Sequence, residues 1–191
     1  MNDRRETFDG LGSQLDAKAA KVRMRKDARA VRAAAAVQWP DACNVLARYA
    51  DALPSVSVVG FYMPIRDELD PRPLAFATGA ALALPATDGT AMTFTLWRPG
   101  DPLEKSAFGV PEPSGEEVVP DLLLIPLLAF DAQMNRLGYG AGHYDRYIAR
   151  HPMTLRFGVA YAAQQRDDII VEPHDMPLHG IITEQGLSRG L

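Results

Sequence analysis

The chain has 191 residues, 47% of them hydrophobic and 23% charged, and its formal net charge is -4. This length and hydrophobic content suffice for a globular domain with its own core, and they exclude an intrinsically disordered chain. The slight negative charge gives little attraction to nucleic acid or to anionic membranes, so we expect neither as a partner. The single cysteine, Cys43, excludes an intramolecular disulfide framework and a zinc cluster built from cysteines.

No repeat, low-complexity tract or linker divides the chain, which predicts one domain over residues 1–191. Within it we expect a disordered tail over residues 1–13 and the folded part over residues 14–185. The N-terminal segment lacks the apolar core of a secretory signal peptide, and the longest apolar run, residues 122–130, is interrupted by Pro126. These features predict a cytoplasmic protein.

The N-terminal part of the chain predicts two helices. Residues 14–37 are rich in Ala, Lys and Arg and contain neither Gly nor Pro, which predicts a long helix that ends before Pro40. A second helix is predicted over residues 40–53.

Further along, the chain changes to short apolar and β-branched runs that are separated by turn residues. Helical segments at residues 71–79 and 142–150 lie between several of these runs, an alternation typical of an α/β protein with a largely parallel sheet. Residues 93–97 are expected to pair antiparallel, and residues 98–113 to form an extended loop. The predicted strands are residues 55–64, 81–87, 93–97, 121–126, 155–161 and 180–184.

Three glycines at alternate positions, Gly138, Gly140 and Gly142, follow an apolar strand and a polar turn at residues 131–135 and precede a helix. Glycine permits a positive φ and lets the backbone approach a ligand without a Cβ in between. The start of the following helix offers unpaired N–H groups and the positive end of its dipole to an anion. This order of elements predicts a phosphate site.

Two charged residues flank the glycines. Arg136 can form a forked contact with phosphate oxygens, and Asp145 can hold a magnesium ion that bridges them. The alternative is a glycine turn in which Asp145 is an ordinary first-turn carboxylate favoured by the helix dipole. The spacing fits neither a P-loop nor the dinucleotide-binding fingerprint.

The segment RLGYGAGHYD at residues 136–145, preceded by IPLLAFD at residues 125–131, closely resembles the signature of 5-formyltetrahydrofolate cyclo-ligases, also called methenyltetrahydrofolate synthetases. Further motifs resemble this family in the same order over about residues 18–185. They are Lys21, Met24, Arg25 and Lys26; Pro64, Glu68 and Asp70; FGVPEP at residues 108–113; and Gln164, His174, Asp175 and residues 182–184.

The resemblance implies a fold and a reaction. The fold would be a three-layer, Rossmann-like α/β domain of the kind shared with sugar-phosphate isomerases and CoA transferases, with helices on both faces of the sheet. The reaction would use ATP and Mg2+ to close 5-formyltetrahydrofolate into 5,10-methenyltetrahydrofolate, releasing ADP and phosphate. The formyl oxygen would be phosphorylated first, and the neighbouring folate nitrogen would then expel phosphate. Such chemistry asks for alignment and charge neutralisation and for no protein nucleophile.

The resemblance also implies the site residues. ATP would be bound by Lys21, Arg25, Arg136, Leu137, Gly138, Tyr139, Gly140, Ala141, Gly142, His143 and Tyr144. Of these, Lys21, Arg25 and Arg136 would position the transferring phosphoryl group. The folate would be bound by Met63, Glu68, Phe108, Tyr139, Gly140, Ala141, Gly142 and His143. Asp145 and Asp175 would hold magnesium.

Several alternatives stay open. From residue types alone, the helix that carries Lys21 and Arg25 is a solvated charged face or a nucleic-acid-binding helix. Ala141 stands where family members often have Gly or Lys, and His143 where Tyr is common, so a folate- or nucleotide-binding protein with impaired catalysis is a second hypothesis. A phosphoryl-transfer enzyme acting on another small substrate is a third. The expected assembly is a monomer or a weak homodimer.

Overall fold

A computed structural model describes residues 5–105, 111–172 and 175–190, with side chains from Lys18 onward. The helices are α1 (Arg5–Gln38), α2 (Arg72–Ala77) and α3 (His143–Arg150), with two 3-10 helices, η1 (Ala42–Ala52) and η2 (Ala162–Gln164). The strands are β1 (Val58–Gly60), β2 (Ala81–Asp88), β3 (Ala91–Leu96), β4 (Leu103–Lys105), β5 (Pro111–Pro113), β6 (Glu117–Val118), β7 (Leu122–Pro126), β8 (Ala129–Phe130), β9 (Arg136–Leu137), β10 (Leu155–Val159), β11 (Gly180–Thr183) and β12 (Gly186–Arg189).

An eight-stranded sheet forms the centre of the fold, in the order β12-β11-β10-β7-β1-β2-β3-β6. The strands from β11 to β2 run parallel to one another. The remaining strands, β12 at one edge and β3 and β6 at the other, are antiparallel to their neighbours. The predicted α/β class with a largely parallel sheet is therefore confirmed, and β3 pairs antiparallel as expected.

The central strand β7 shows why helices cover both faces of the sheet. Alternate side chains of a strand point to opposite faces. Leu122 and Leu124 enter one hydrophobic cluster, which η1 and α2 complete from one side. Leu123 and Ile125 enter a second cluster, which α3 completes from the other side. The result is the three-layer arrangement that the resemblance implied.

The helices differ from the prediction in their ends and in one helix type. α1 begins at Arg5, so residues 5–13, which were expected to form a disordered tail, belong to the helix, while residues 1–4 lie outside the described residues. The second predicted helix is the 3-10 helix η1, closed at its end by the Leu53 amide, which donates to the Ala50 carbonyl at 3.0 Å. No helix in the described ranges is both long and apolar enough to cross a membrane.

The strands differ mainly in length. The predicted strand at residues 55–64 is reduced to β1, because the Ser57 and Val58 amides donate to the Asp121 carboxylate at 2.9 Å each and the chain leaves the sheet after β1. The expectation of an extended loop over residues 98–113 is wrong in part, since β4 and β5 pair within it. β6, β8, β9 and β12 are too short to show a hydrophobic period, and the sequence did not predict them.

Candidate active site

A cavity of about 280 Å3 opens at the carboxyl ends of the central strands. Tyr62 and Met63 follow β1, Thr87 lies near the end of β2, and Pro126 ends β7, and all of them line the cavity. In open α/β sheets the crevice beyond the carboxyl ends of the strands is where ligands bind. The fold therefore places a ligand site at this position.

The described site residues that the sequence predicted all line this one cavity. They are Lys21, Arg25, Met63, Glu68, Arg136, Leu137, Gly138, Tyr139, Gly140, Ala141, Gly142, His143, Tyr144, Asp145 and Asp175. Phe108, the remaining predicted residue, lies outside the described residues. The cavity is also lined by residues that the sequence did not single out, namely Tyr62, Ile65, Pro85, Thr87, Met92, Pro126 and Glu172.

Some of these missed residues carry a sequence signal and others do not. Tyr62 and Ile65 are close neighbours of Met63, so the end of β1 as a whole could have been included. Thr87 and Met92 belong to the β2–β3 hairpin, and only the folding of that hairpin over the site brings them to the cavity.

A tight hairpin places Arg136 at the cavity. β8 and β9 pair antiparallel, and Asp131 occupies the turn between them. One Asp131 carboxylate oxygen accepts the backbone N–H groups of Gln133 and Asn135 at 2.9 Å each. Side-chain acceptors of this kind stabilise turns by satisfying amides that have no strand partner. The Asp131 side chain therefore stabilises the polar turn predicted at residues 131–135, which directly precedes β9 and the three glycines.

The glycine loop, residues 138–142, has positive φ at two of its three glycines. Gly140 has φ +100° and Gly142 has φ +68°, whereas the φ of Gly138 is not positive. The Arg25 Nε donates to the Gly138 carbonyl at 3.0 Å, so α1 and the loop are joined directly. A Cβ at Gly142 would lie 2.7 Å from the Arg146 Nη1, so a side chain there would have to displace the end of the Arg146 side chain. The positive φ that glycine permits is therefore used at Gly140 and Gly142 but not at Gly138.

The start of α3 is attached to the neighbouring β2–β3 hairpin. His143 Nε2 lies 3.2 Å from the Gly89 carbonyl oxygen, a contact in which the ring nitrogen donates. Arg146 donates to the next carbonyl, that of Thr90, at 3.0 and 3.2 Å. These contacts hold the hairpin against the helix start and fix one rim of the cavity.

The inward face of α1 carries the basic residues of the site. Lys21 and Arg32 are 6% and 2% exposed, and they lie on the same stripe as the buried Met24 and Ala28. Arg25 is half-buried between them. A solvated charged face is therefore wrong for these residues, because their side chains point into the protein.

Two ion pairs join the basic residues to the carboxylates expected to hold magnesium. Lys21 Nζ lies 2.7 Å from Glu172 Oε2 and 3.1 Å from Asp175 Oδ2. Arg136 pairs with Asp145 through one guanidinium nitrogen and donates to the backbone near Asp175 through another. Cations and carboxylates thus alternate along this side of the cavity, which we call the phosphate wall (Lys21, Arg25, Arg136, Asp145, Asp175 and the glycine loop).

The opposite side of the cavity is built around Glu68. Its side chain is 5% exposed. One carboxylate oxygen accepts the Ile65 amide at 2.9 Å, and the other accepts the hydroxyl of Tyr139. Burial raises the pKa of Glu68, while the hydrogen bond from Tyr139 opposes that rise. Burial also raises the pKa of the Tyr144 hydroxyl, so this phenol stays protonated.

The described side chains of the cavity do not form a complete metal site by themselves. Among the described residues, no group of three His, Cys, Asp or Glu side chains is placed to hold a metal ion. Asp145 and Asp175 supply two carboxylates, and Mg2+ characteristically takes one or two from the protein and completes its shell with phosphate oxygens and water. A magnesium ion held by these two carboxylates would therefore need phosphate oxygens and water to complete its shell.

The sequence profile of the 5-formyltetrahydrofolate cyclo-ligase family matches residues 17–184. The chain belongs to this family. The matched range contains the phosphate wall, Glu68 and all the central strands.

Individual relatives agree with this assignment. The 5-formyltetrahydrofolate cyclo-ligase of Haemophilus influenzae is 35% identical over 99 residues, which cover 48% of this chain and 53% of that protein. The enzyme of the same name from Escherichia coli strain K12 is 30% identical over 139 residues, 65% of this chain and 76% of that protein. The solved 5,10-methenyltetrahydrofolate synthetase of Aquifex aeolicus superposes with a TM-score of 0.75 at 29% identity, covering 88% of this chain and 92% of that one.

Proposed function

We propose that this protein converts 5-formyltetrahydrofolate to 5,10-methenyltetrahydrofolate with ATP and Mg2+, releasing ADP and phosphate. The observation that carries the proposal is that one cavity, in a chain of this family, joins a glycine-rich wall of alternating cations and carboxylates to a buried carboxylate. The glycine-rich wall suits the phosphates of a nucleotide, and the buried carboxylate suits a planar ring that carries N–H donors.

The chemistry divides into two steps. In the first, the formyl oxygen attacks the γ-phosphorus of ATP, the bond to the bridging oxygen breaks, and ADP leaves. The product is an imidate phosphate, whose carbon is now electrophilic. In the second, the neighbouring folate nitrogen attacks that carbon, loses its proton to water, and the carbon–oxygen bond breaks to expel phosphate. Alignment of the two substrates and neutralisation of phosphoryl charge supply the rate enhancement.

The residues of the phosphate wall would bind the nucleotide. Lys21, Arg25 and Arg136 would donate to phosphate oxygens, and Gly140 and Gly142 would let those oxygens approach the backbone. Asp145 and Asp175 would hold Mg2+, which neutralises phosphate charge when it is bound. These residues reach the cavity from three segments of the chain, α1, residues 136–145 and the segment of Asp175, so folding is required to assemble them.

The opposite side would bind the folate. The Glu68 carboxylate would accept N–H groups from the edge of the reduced pterin. Met63 and Tyr144 would pack against the flat ring, a contact that contributes apolar burial and aromatic stacking. This arrangement directs the formyl group towards the phosphate wall.

A single assay tests the proposal. Purified protein mixed with 5-formyltetrahydrofolate, ATP and MgCl2 should develop the near-ultraviolet absorbance of the methenyl product, with one ADP formed per product. Omission of ATP or addition of EDTA should stop the reaction. Binding of 5-formyltetrahydrofolate and ATP without product would instead support a folate-binding protein with impaired catalysis, and ATP hydrolysis without folate binding would support a phosphoryl-transfer enzyme for another substrate.

A further inference from the structure

Arg32 is a buried cation of α1 that joins three segments of the chain. Its Nε and Nη2 contact the two Asp67 carboxylate oxygens at 2.9 and 3.2 Å, a forked ion pair. Its Nη1 donates to the hydroxyl of Tyr139, in the glycine loop, and lies 3.6 Å from Glu68 Oε1. Tyr139 in turn donates to the same oxygen of Glu68.

This arrangement fixes the position of the Glu68 carboxylate from two directions. A guanidinium is planar and presents its donors in a rigid fork, so the pairing with Asp67 sets the direction in which the remaining nitrogen points. That nitrogen holds the Tyr139 hydroxyl, and the Arg32 Cζ lies 5.5 Å from the centre of the Tyr139 ring. The Tyr139 hydroxyl that donates to Glu68 Oε1 is therefore itself held by Arg32.

Stability alone gives little reason for such a buried pair. Removing two charges from water costs about as much as their attraction returns, and apolar residues of similar size often replace such pairs without loss of stability. A role in the adjacent site explains the presence of Arg32 better, since the Tyr139 and Glu68 side chains that it holds both line the cavity.

We propose that Arg32 is a positioning residue of the folate site, which holds the Tyr139 hydroxyl and the Glu68 carboxylate in the orientation that accepts the N–H edge of the pterin. The inference rests on the proposed function. Arg32 would act through Tyr139 and Glu68 and would not touch either substrate itself, since its side chain, unlike theirs, does not line the cavity.

The charges around Glu68 give this role a measurable consequence. The groups that face it are the Arg32 cation, the Asp67 anion, and the phenols of Tyr139, Tyr62 and Tyr144. Arg32 is the cation among them and favours the ionised form of Glu68, which is the form that accepts two N–H groups. Loss of its charge would leave Asp67 and burial to raise the pKa of Glu68 further.

The test compares Arg32→Met and Arg32→Lys with the matched control Arg29→Met, which changes an exposed arginine on the same helix. Arg32→Met should raise the KM for 5-formyltetrahydrofolate at least about tenfold and shift the acidic limb of its kcat/KM profile to higher pH. Arg32→Lys should also raise the KM for 5-formyltetrahydrofolate. The pH at which its kcat/KM falls on the acidic side should stay closer to that of the original protein, because the positive charge remains. The KM for ATP should change less than about twofold in both, and Arg29→Met should match the original protein.

Equal increases in the KM for folate and for ATP, or no change in either, would overturn the inference. If thermal denaturation shows that Arg32→Met does not fold, the test uses the single variants Arg32→Lys and Tyr139→Phe and the double variant that combines them. The double variant should raise the KM for folate by less than the product of the two single increases, because both residues act on one carboxylate. An increase equal to that product would contradict the proposal. An original protein that neither binds nor converts the folate would instead refute the proposed function.

Discussion

The guanidinium of Arg25 lies directly against Gly140. A Cβ added at Gly140 would come within 3.1 Å of the Arg25 Cζ, and the Arg25 Nε is bonded to the carbonyl of Gly138. The glycine loop and α1 are therefore packed so closely that a side chain at Gly140 would press against the Arg25 guanidinium. Since Arg25 is proposed to bind phosphate, the fit between loop and helix should control nucleotide binding.

Gly140→Ala should raise the KM for ATP at least about tenfold, because the new methyl group displaces the Arg25 guanidinium. It should also cost about 1–2 kcal/mol of stability, because Gly140 has φ +100°. Steady-state kinetics and urea denaturation measure the two effects. Gly138→Ala is the matched control for stability, since a Cβ there meets no atom within 4 Å; a loss of stability as large as that of Gly140→Ala would contradict this explanation.

Asp145→Asn should lower kcat/KM with Mg-ATP at least about tenfold, equivalent to about 1.4 kcal/mol of transition-state stabilisation. The amide keeps the size of the side chain but removes the charge available to Mg2+ and to Arg136. A titration of activity with MgCl2 should therefore show a higher half-saturating concentration. Asp168→Asn is the control, because Asp168 pairs with an arginine in the same way at an exposed position. An unchanged magnesium dependence would exclude Asp145 as a ligand.

The use of folate should depend on the ionisation of Glu68. Burial raises the pKa of this carboxyl, so it takes up a proton at a higher pH than an ordinary glutamate does. Above that raised pKa the ionised carboxylate accepts N–H groups, and below it the neutral acid loses part of this capacity. The KM for 5-formyltetrahydrofolate should therefore increase as the pH falls through the raised pKa.

Glu68→Gln tests the origin of this pH dependence. It should weaken folate use at neutral pH about tenfold or more and flatten the acidic part of the folate KM profile, because a glutamine does not titrate. Glu117→Gln, which changes an exposed glutamate of β6, should leave both the KM and its pH profile unchanged. A Glu68→Gln variant that keeps the original pH profile would show that another group titrates.

Gln164→Ala should destabilise the protein by about 3 kcal/mol in urea denaturation. The buried amide of Gln164 donates to the carbonyls of Leu127 and Leu128 at 2.9 and 3.0 Å, and its oxygen accepts the Tyr161 amide at 2.9 Å. Truncation leaves these backbone groups without their partner. Gln165→Ala, at the exposed neighbouring position, should change stability by less than about 0.5 kcal/mol. Similar losses in both variants would contradict this assignment.

The sequence predicted those parts of the fold that depend on local chemistry. The continuous apolar run of β7 indicated a strand buried on both faces, and the glycine loop after a polar turn indicated an anion site at a helix start. The resemblance over about residues 18–185 then predicted the family. The second helix was predicted in the right place, but the sequence did not show that it is a 3-10 helix, because helix propensity does not distinguish an α-helix from a 3-10 helix.

The tertiary structure alone decided how charged side chains are paired. Lys21 meets Glu172 across 151 positions of sequence, and Arg32 meets Tyr139 across 107. Both arginine and lysine residues are spread around α1, and no local pattern tells which of them face inward. That choice follows from the packing of α1 against the glycine loop and the segment after β1, where burial of a cation is tolerated only when a carboxylate or hydroxyl from another segment meets it. The sequence by itself therefore determined the main helices and strands and the family of this protein, while the fold determined which of its many charges line the cavity.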